Sequence, residues 1–359
     1  MRFKRALREV RIDRHRADEG AIVRLLSAKG PRVHDLFRAA FEERLRYRGE
    51  RVLLTSTIHV TNECRIRPRC AFCGFAAGAS PKGYHRPFTR SYEEVAEAAR
   101  AIERSGIPRV SCSGAYRGDG GRLAVMAARA VKEHTDLLVL INFGHDLSRE
   151  TLRELRELGV ETVCCNLETI NRGLFERLKP GDDLDARIRT CELVCEHGIG
   201  LSSGLLVGVG ESRRDRARHL RFLARFETLM EIPIMGFHPY PGTPMENHPR
   251  CPLLEQARVM AVARLMYPDL MITAPTPTIG PEEVQVALMA GADNLATVIP
   301  DDHPHEVKGV GSPRTGNLDR VIELIENFGL KPALSVNEGR RACLTCSGKR
   351  ASPSTQPSS

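Results

Sequence analysis

The stretch VLLTSTIHVTNECRIRPRCAFCG, residues 52–74, joins an apolar run to a loop carrying Cys64, Cys70 and Cys73. The run is short and rich in β-branched residues, which predicts a buried strand. The cysteines follow its carboxyl end, and in parallel α/β folds ligands bind at that end. Three thiolates can hold three irons of a [4Fe–4S] cluster, one fewer than the four cysteines of an electron-transfer cluster. The remaining iron keeps an open position for a small molecule, and an open position lets a metal do chemistry.

Outward from this stretch, short apolar runs recur at Arg109–Ser113, Leu137–Phe143, Glu161–Leu167, Gly200–Val207, Glu231–His238, Leu270–Pro275 and Asp293–Ile299. With Val52–Val60 they make eight candidate strands. Most of the intervals have helical spacing. Tyr92–Ser105 places Val95, Ala96, Ala99 and Ile102 on one face; Ser148 reads as the cap of a helix ended by Gly159; Asp185–His197 closes on Gly198. Eight βα units predict an α/β fold, a (βα)8 TIM-type barrel over residues 51–335, with an open doubly wound sheet as the structural alternative. Residues 1–50 read as an N-terminal helical extension whose best helix is Phe37–Tyr47. Residues 336–359 read as a C-x2-C segment and a Ser/Pro-rich disordered tail. Chemistry-bearing residues fall at strand ends: Cys64, Ser113, Asn166, Glu168 and His238.

The chain has 359 residues, 42% of them hydrophobic but only 5% aromatic and none Trp, so aliphatic side chains must fill the core. The net charge of +8 permits an anionic partner, yet the basic residues are scattered, so nucleic acid is not expected. The densest basic run, Arg2 to Arg16, reads as a solvated helical face. No stretch reaches the ~18 apolar residues of a membrane span, and Met1–Val10 lacks the apolar run of a secretory signal. The expectation is a cytoplasmic protein whose eleven cysteines are metal ligands or buried thiols before they are disulfides.

The cysteine loop, with Phe72 inside its last pair, resembles the radical S-adenosylmethionine (SAM) superfamily. The usual spacing there is C-x3-C-x2-C, so the first gap is two residues longer here. Gly204-Leu205-Leu206-Val207-Gly208-Val209-Gly210-Glu211 is similar to the family's fifth-strand G-x-I-x-G-x-x-E, with Leu206 in place of Ile. Asn166-Leu167-Glu168-Thr169 resembles the N-L-D-T of biotin synthases. Arg187 lies 24 residues before Glu211, the spacing of the arginine that grips the SAM carboxylate there, a role suited to a planar donor fork. Gly242-Thr243-Pro244 also recurs in that group. The second strand departs from the family: Ser111-Cys112-Ser113-Gly114 stands where a G-G-E-P-like turn is common. The resemblance covers roughly residues 52–300.

This resemblance implies a cluster on Cys64, Cys70 and Cys73 whose open iron binds the amino and carboxylate groups of SAM. Reduction, by a reductant or electron-transfer protein, then releases a 5′-deoxyadenosyl radical toward a small-molecule substrate. It further implies that Phe72 and Gly208 flank the adenine, that Ser113 and Gly114 meet the methionine amine, that Asn166 and Glu168 orient the ribose, and that Arg187 holds the carboxylate. Biotin synthesis itself is not implied. Ser202 falls where biotin synthases carry a cysteine of their second, sulfur-donating cluster, and Ile272 falls near its arginine ligand. The long first gap on a biotin synthase-like barrel is most like the HmdB/HcgA group, the radical SAM proteins of iron-guanylylpyridinol (FeGP) cofactor assembly. That group is associated with the [Fe]-hydrogenase (methenyltetrahydromethanopterin hydrogenase) of methanogenic archaea. Two other cofactor-pathway types stay open, the [FeFe]-hydrogenase maturases and the menaquinone or deazaflavin synthases.

A different class of reading rests on Cys343-Leu344-Thr345-Cys346. With Cys70 and Cys73 it forms a C-x2-C…C-x2-C set, as in a zinc-containing nucleic-acid-binding protein. Cys112, Cys164 and Cys165 at strand ends read as small buried hydrophobes. Cys112 is the best candidate among them for an extra role, and at most one of Cys164 and Cys165 faces the lumen. Cys191 and Cys195, one helical turn apart, are expected to pack their helix onto the barrel. Asn142, His145, His238 and Tyr240 are candidates for substrate contact or for plain structural hydrogen bonding.

Overall fold

A computed structural model describes residues 2–12, 17–75, 87–307 and 317–344. Its strands are β1 Arg51–Thr61, β2 Arg109–Gly114, β3 Leu138–Asn142, β4 Thr162–Cys164, β5 Gly200–Ser202, β6 Leu205–Val207, β7 Leu229–Gly236, β8 Met271–Pro275, β9 Asn294–Ala296 and β10 Lys331–Pro332. All pairings are parallel, in the order β1-β2-β3-β4-β5-β7-β8-β9, and β9 pairs back to β1 through Leu53↔Asn294. The sheet is therefore a closed barrel of eight positions, and the open-sheet alternative is excluded. β6 continues the fifth position and β10 adds to the foot of β1. Every expected strand falls on an observed one.

The helices between the strands follow their sequence signals. Tyr92–Arg104 starts with a capping box between Ser91 and Glu94. Arg149–Glu157 is capped by Ser148, whose hydroxyl accepts the Thr151 N–H. Ahead of the barrel lie α1 Arg2–Ile12, α2 Glu19–Leu26 and α3 Pro31–Arg48, and the expected helix Phe37–Tyr47 is the second half of α3. At the other end Val336–Leu344 is a helix. The tail 349–359 and Cys346 lie outside the described residues.

Strand alternation decides which side chains fill the lumen. On β1, Thr55, Thr57 and His59 point inward, while Leu54, Ile58 and Val60 belong to the surrounding core. On β2, Ser111 and Ser113 point inward, while Val110 and Cys112 are buried on the helix side. Cys112 thus stands behind the wall, which corrects the expectation of an extra role for it. Such small hydroxylic side chains do not fill a barrel the way large aliphatic layers do. They leave a cavity of about 360 Å³ open toward the carboxyl ends. Below it the lumen is plugged by polar groups: Arg109 Nη2 donates to Glu231 Oε2 at 2.8 Å, and Thr273 and Asn294 donate to Glu231 Oε1 at 2.5 and 3.2 Å.

The break between β5 and β6 has a local cause. Pro233 on β7 has no N–H to give to the ladder, and the passing strand comes so close that a Cβ on Gly204 would stand 1.8 Å from the Pro233 carbonyl oxygen. The Gly204 N–H goes instead to Asn166 Oδ1 at 2.9 Å, and the Gly204 carbonyl accepts the Glu168 N–H at 3.2 Å. A backbone oxygen cannot move aside cheaply. Gly204→Ala is therefore expected to destabilise the barrel by about 1–3 kcal/mol, read as a lowered thermal unfolding midpoint.

Candidate active site

Cys64, Cys70 and Cys73 lie on the loop that leaves β1 at the open end of the barrel, Cys70 buried and the others half-buried. Backbone hydrogen bonds pin the loop: Arg65 N–H to Tyr116 O and Ala71 N–H to Leu178 O, both 2.8 Å, and Met245 N–H to Ala71 O at 3.2 Å. Burial pushes the Cys70 thiol up to about 12, with Lys179 the largest opposing influence. Among the described residues no group of three or more His, Cys, Asp or Glu is placed to hold a single metal ion. A [4Fe–4S] cluster makes a different demand, because each cysteine binds a different iron, and thiols spread along one loop suit it.

The zinc reading fails on geometry. Cys343 packs with Leu53, Leu138, Met271 and Ala333 at the amino-terminal foot of the strands. Cys70 and Cys73 are at the opposite end of the barrel, so Cys343 does not join them around one zinc.

Beside the cysteine loop, the residues after β4 form a charged group. Glu168 is 9% exposed and sits at φ 63°, a left-handed conformation uncommon for a side-chain-bearing residue. Its position is fixed by the strand break: its N–H bonds Gly204 O and its carbonyl accepts the Leu206 N–H. Its Oε2 is buried with no hydrogen-bond partner. Arg187 is buried, with Nε and Nη2 both on Asp182 Oδ2 at 2.9 and 2.7 Å and Nη1 on the Asn166 carbonyl at 2.9 Å. Two of its nitrogens are therefore already engaged by Asp182. Burial works to raise the Asp182 carboxyl, but Arg187 and Lys179 outweigh it and hold it at about 2. His145 Nδ1 stands 3.3 Å from Asp182 Oδ1 and its ring stacks on Tyr116. Burial, then Arg187, keeps that imidazole below its ordinary value.

Phe72, Cys73, Ser113, Asn142, Cys164, Asn166, His238 and Tyr240 line the cavity. Cys165 turns the other way, into the core beside Cys191, so one cysteine of the pair faces the lumen. Gly114 packs its backbone on the Phe143 ring, where a Cβ would meet Cε1 at 2.2 Å. Gly208 is outside the cavity lining; its N–H bonds Glu211 Oε1 at 2.8 Å and it abuts Cys251. His238 has its Nδ1 buried without a partner, and burial lowers its imidazole from the ordinary value.

Three residues in this region escaped the sequence reading. Lys179 and Asp182 belong to a Lys-Pro-Gly-Asp turn whose only signal was its turn composition. Thr297 lines the cavity at φ 61°, an outlier for a β-branched residue. Its Oγ1 lies 3.1 Å from Thr57 Oγ1. A backbone angle has no single-residue signature in the sequence.

Comparison with known proteins supplies the family. Residues 58–223 match the Radical SAM superfamily model and residues 233–331 the Biotin and Thiamin Synthesis associated domain. The chain is 54% identical over 288 residues to the uncharacterized protein MJ0785 of Methanocaldococcus jannaschii, covering 80% of this chain and 76% of that one. It is 31% identical over 275 residues to a biotin synthase of Parafrankia sp., covering 75% and 73%. Among solved structures, methylornithine synthase superposes with a TM-score of 0.82 at 24% identity, over 95% of this chain and all of that one, a likeness of fold. A barrel with three cysteines at its open end, matched along most of its length by these models and relatives, belongs to an enzyme of the radical SAM superfamily with biotin synthase-like homologues, a family that works with a [4Fe–4S] cluster and SAM.

Proposed function

We propose that this chain is the radical SAM enzyme of iron-guanylylpyridinol cofactor assembly, with Cys64, Cys70 and Cys73 as its iron ligands. The observation that carries the reading is the five-residue first gap, C-x5-C-x2-C, on a biotin synthase-like barrel whose cavity-lining Ser202 falls where biotin synthases carry a cysteine of their sulfur-donating cluster. Bound at this mouth, the cluster and SAM supply a carbon radical able to take hydrogen from an unactivated C–H bond.

The protein's own part is to bind, orient and exclude water. The orphaned Glu168 Oε2 is an acceptor for a ribose hydroxyl, held ready by a backbone that spends strain to aim it. Asn166, with its Oδ1 on Gly204, keeps that backbone in place. Arg187 and Lys179 supply positive charge for a carboxylate, and Phe72 an aromatic face for the adenine. Ser111, Ser113, Thr57 and Asn142 line the space beneath with hydrogen-bonding groups, which suits a small polar substrate. A cytoplasmic setting fits cysteines read as iron ligands and buried thiols before disulfides.

Two measurements test this. EPR of the anaerobically reconstituted, dithionite-reduced protein should give a [4Fe–4S]⁺ signal that changes on adding SAM; a signal indifferent to SAM contradicts the enzyme site. Deleting the gene in a host that makes [Fe]-hydrogenase should leave that hydrogenase without its guanylylpyridinol cofactor; hydrogenase recovered fully loaded contradicts the pathway. Within the site, Glu168→Ala removes this buried acceptor and is expected to weaken SAM binding about 10- to 100-fold, read by the SAM concentration needed to change the EPR signal.

A further inference from the structure

The residues that lengthen the first cysteine gap, Arg65 to Arg69, do not hang free at the mouth. They are packed backbone to backbone on the turn Lys179-Pro180-Gly181-Asp182. A Cβ on Gly181 would stand 2.3 Å from the Pro68 carbonyl oxygen, 2.4 Å from the Arg67 carbonyl carbon and 2.5 Å from its oxygen. Only a residue without a side chain permits that approach. Leu178, the residue just before the turn, is tied to the loop on its other side, where its carbonyl takes the Ala71 N–H at 2.8 Å, between Cys70 and Cys73. Leu178 and the turn that follows it thus contact both the long gap and the short one.

The turn also brings a buried cation. Lys179 is 5% exposed. Its ammonium lies 5.8 Å from the centre of the Phe72 ring and 6.0 Å from that of Phe175, within reach of a cation–π attraction. Its carboxylate neighbours are Asp182 at 3.3 Å and Glu168 at 3.9 Å. Asp182 is already bonded by two Arg187 nitrogens. A buried ammonium is costly unless it faces negative charge, and three cysteine thiolates on the adjoining loop would bring such charge.

We propose that the turn Lys179–Asp182 is the seat of the lengthened cysteine loop, Gly181 fixing where the loop lies and Lys179 acting as a positioning residue that sets positive charge beside the iron ligands. This rests on the reading of Cys64, Cys70 and Cys73 as cluster ligands. Gly181 is then as necessary to the longer gap as the cysteines themselves, because any side chain there lifts Arg67 and Pro68 and moves Cys64 relative to Cys70. Lys179 favours the more negative, reduced state of whatever the loop holds.

The test uses the full chain as Gly181→Ala, Lys179→Met and Lys179→Arg, reconstituted anaerobically beside the wild type. Iron and sulfide per chain, far-UV circular dichroism and an EPR-monitored redox titration are measured. Gly181→Ala is expected to keep the barrel's dichroism and lose most of its iron. Lys179→Met is expected to load iron but to require a more negative potential for reduction, and Lys179→Arg to restore the wild-type midpoint. Wild-type iron content in Gly181→Ala, or a wild-type midpoint in Lys179→Met, overturns the proposal. Should Gly181→Ala fail to fold, the Lys179 pair decides alone. A wild type that takes up no cluster removes the ligand assignment itself, an outcome distinct from failure of the seat.

Discussion

Replacing Cys64 by alanine is expected to abolish SAM cleavage while leaving the barrel folded. Cys64 is half-buried on the loop beyond β1 and contributes to none of the core packing within the barrel, so its loss costs little stability. Its carbonyl, which accepts Arg67 Nη1 at 2.9 Å, is untouched by the change. A site with two thiolates in place of three no longer holds a cluster with a single open iron. The rate should fall to background, a loss of about 10⁶-fold or more on the scale of enzymatic accelerations. Iron content and 5′-deoxyadenosine are the measurements. Retained 5′-deoxyadenosine would remove Cys64 from the ligand set. Cys112→Ala is the matched control: that thiol is buried behind the β2 wall, where burial raises it to about 12, and its loss should leave both readouts near wild type.

The barrel was legible because its strands are short aliphatic runs separated by capped helices, and each signal is local. Ser91, Ser148 and Ser212 cap helices in the structure, and period-two alternation on β1 and β2 divides lumen from core. The site was legible where a residue acts through its own chemistry, as with three cysteines or a carboxylate after a strand. It was illegible where the function lies in an arrangement between distant segments. Arg187 reads as a ligand grip by spacing, yet Asp182 takes two of its nitrogens, because a turn five residues earlier folds back onto it. Lys179 has no motif; its significance comes from burial among Phe72, Glu168 and Asp182. Cys343 looked like half of a metal site because sequence gives spacing but not which end of the barrel a residue reaches. Glu168 was found as a carboxylate, but the left-handed backbone that aims it follows from Pro233 on a strand some sixty residues away.

Asp293→Ala is expected to cost about 3–5 kcal/mol of stability and to lower the unfolding midpoint on the order of 10 °C, without touching the iron ligands. Asp293 immediately precedes β9, and its carboxylate sits buried among arginines. Arg48 Nε donates to Oδ2 at 2.6 Å, Arg264 Nη2 donates to Oδ1, and the Ile272 N–H donates to Oδ1 at 2.8 Å. The three side chains are 2%, 0% and 3% exposed. Arg44, also fully buried, lies in the same field and is brought down to about 10 by burial and by repulsion from Arg264 and Arg48, against the pull of Asp293. Carbonyl oxygens satisfy much of the remaining guanidinium surface, among them Gly291, Leu270 and Ala292, but carbonyls carry no net charge. Removing the carboxylate takes away the buried anion that bonds both Arg48 and Arg264, which is the expensive way to break an ion pair. Because Arg44 and Arg48 come from α3, the same substitution loosens the N-terminal helices from the foot of the barrel. The pH dependence has a definite sign. Burial tends to raise the Asp293 carboxyl, but Arg264 and Arg48 prevail and hold it below its ordinary value. A group depressed in the folded state contributes its full stability above the unfolded pKa, near ~4, and loses it as the pH falls toward the folded value. The gap in unfolding midpoint between wild type and Asp293→Ala should thus be full at neutral pH and narrow below about pH 4. A gap that is absent at neutral pH would mean that water reaches the arginines once the carboxylate is gone, and that the foot of this barrel is held by its aliphatic packing alone.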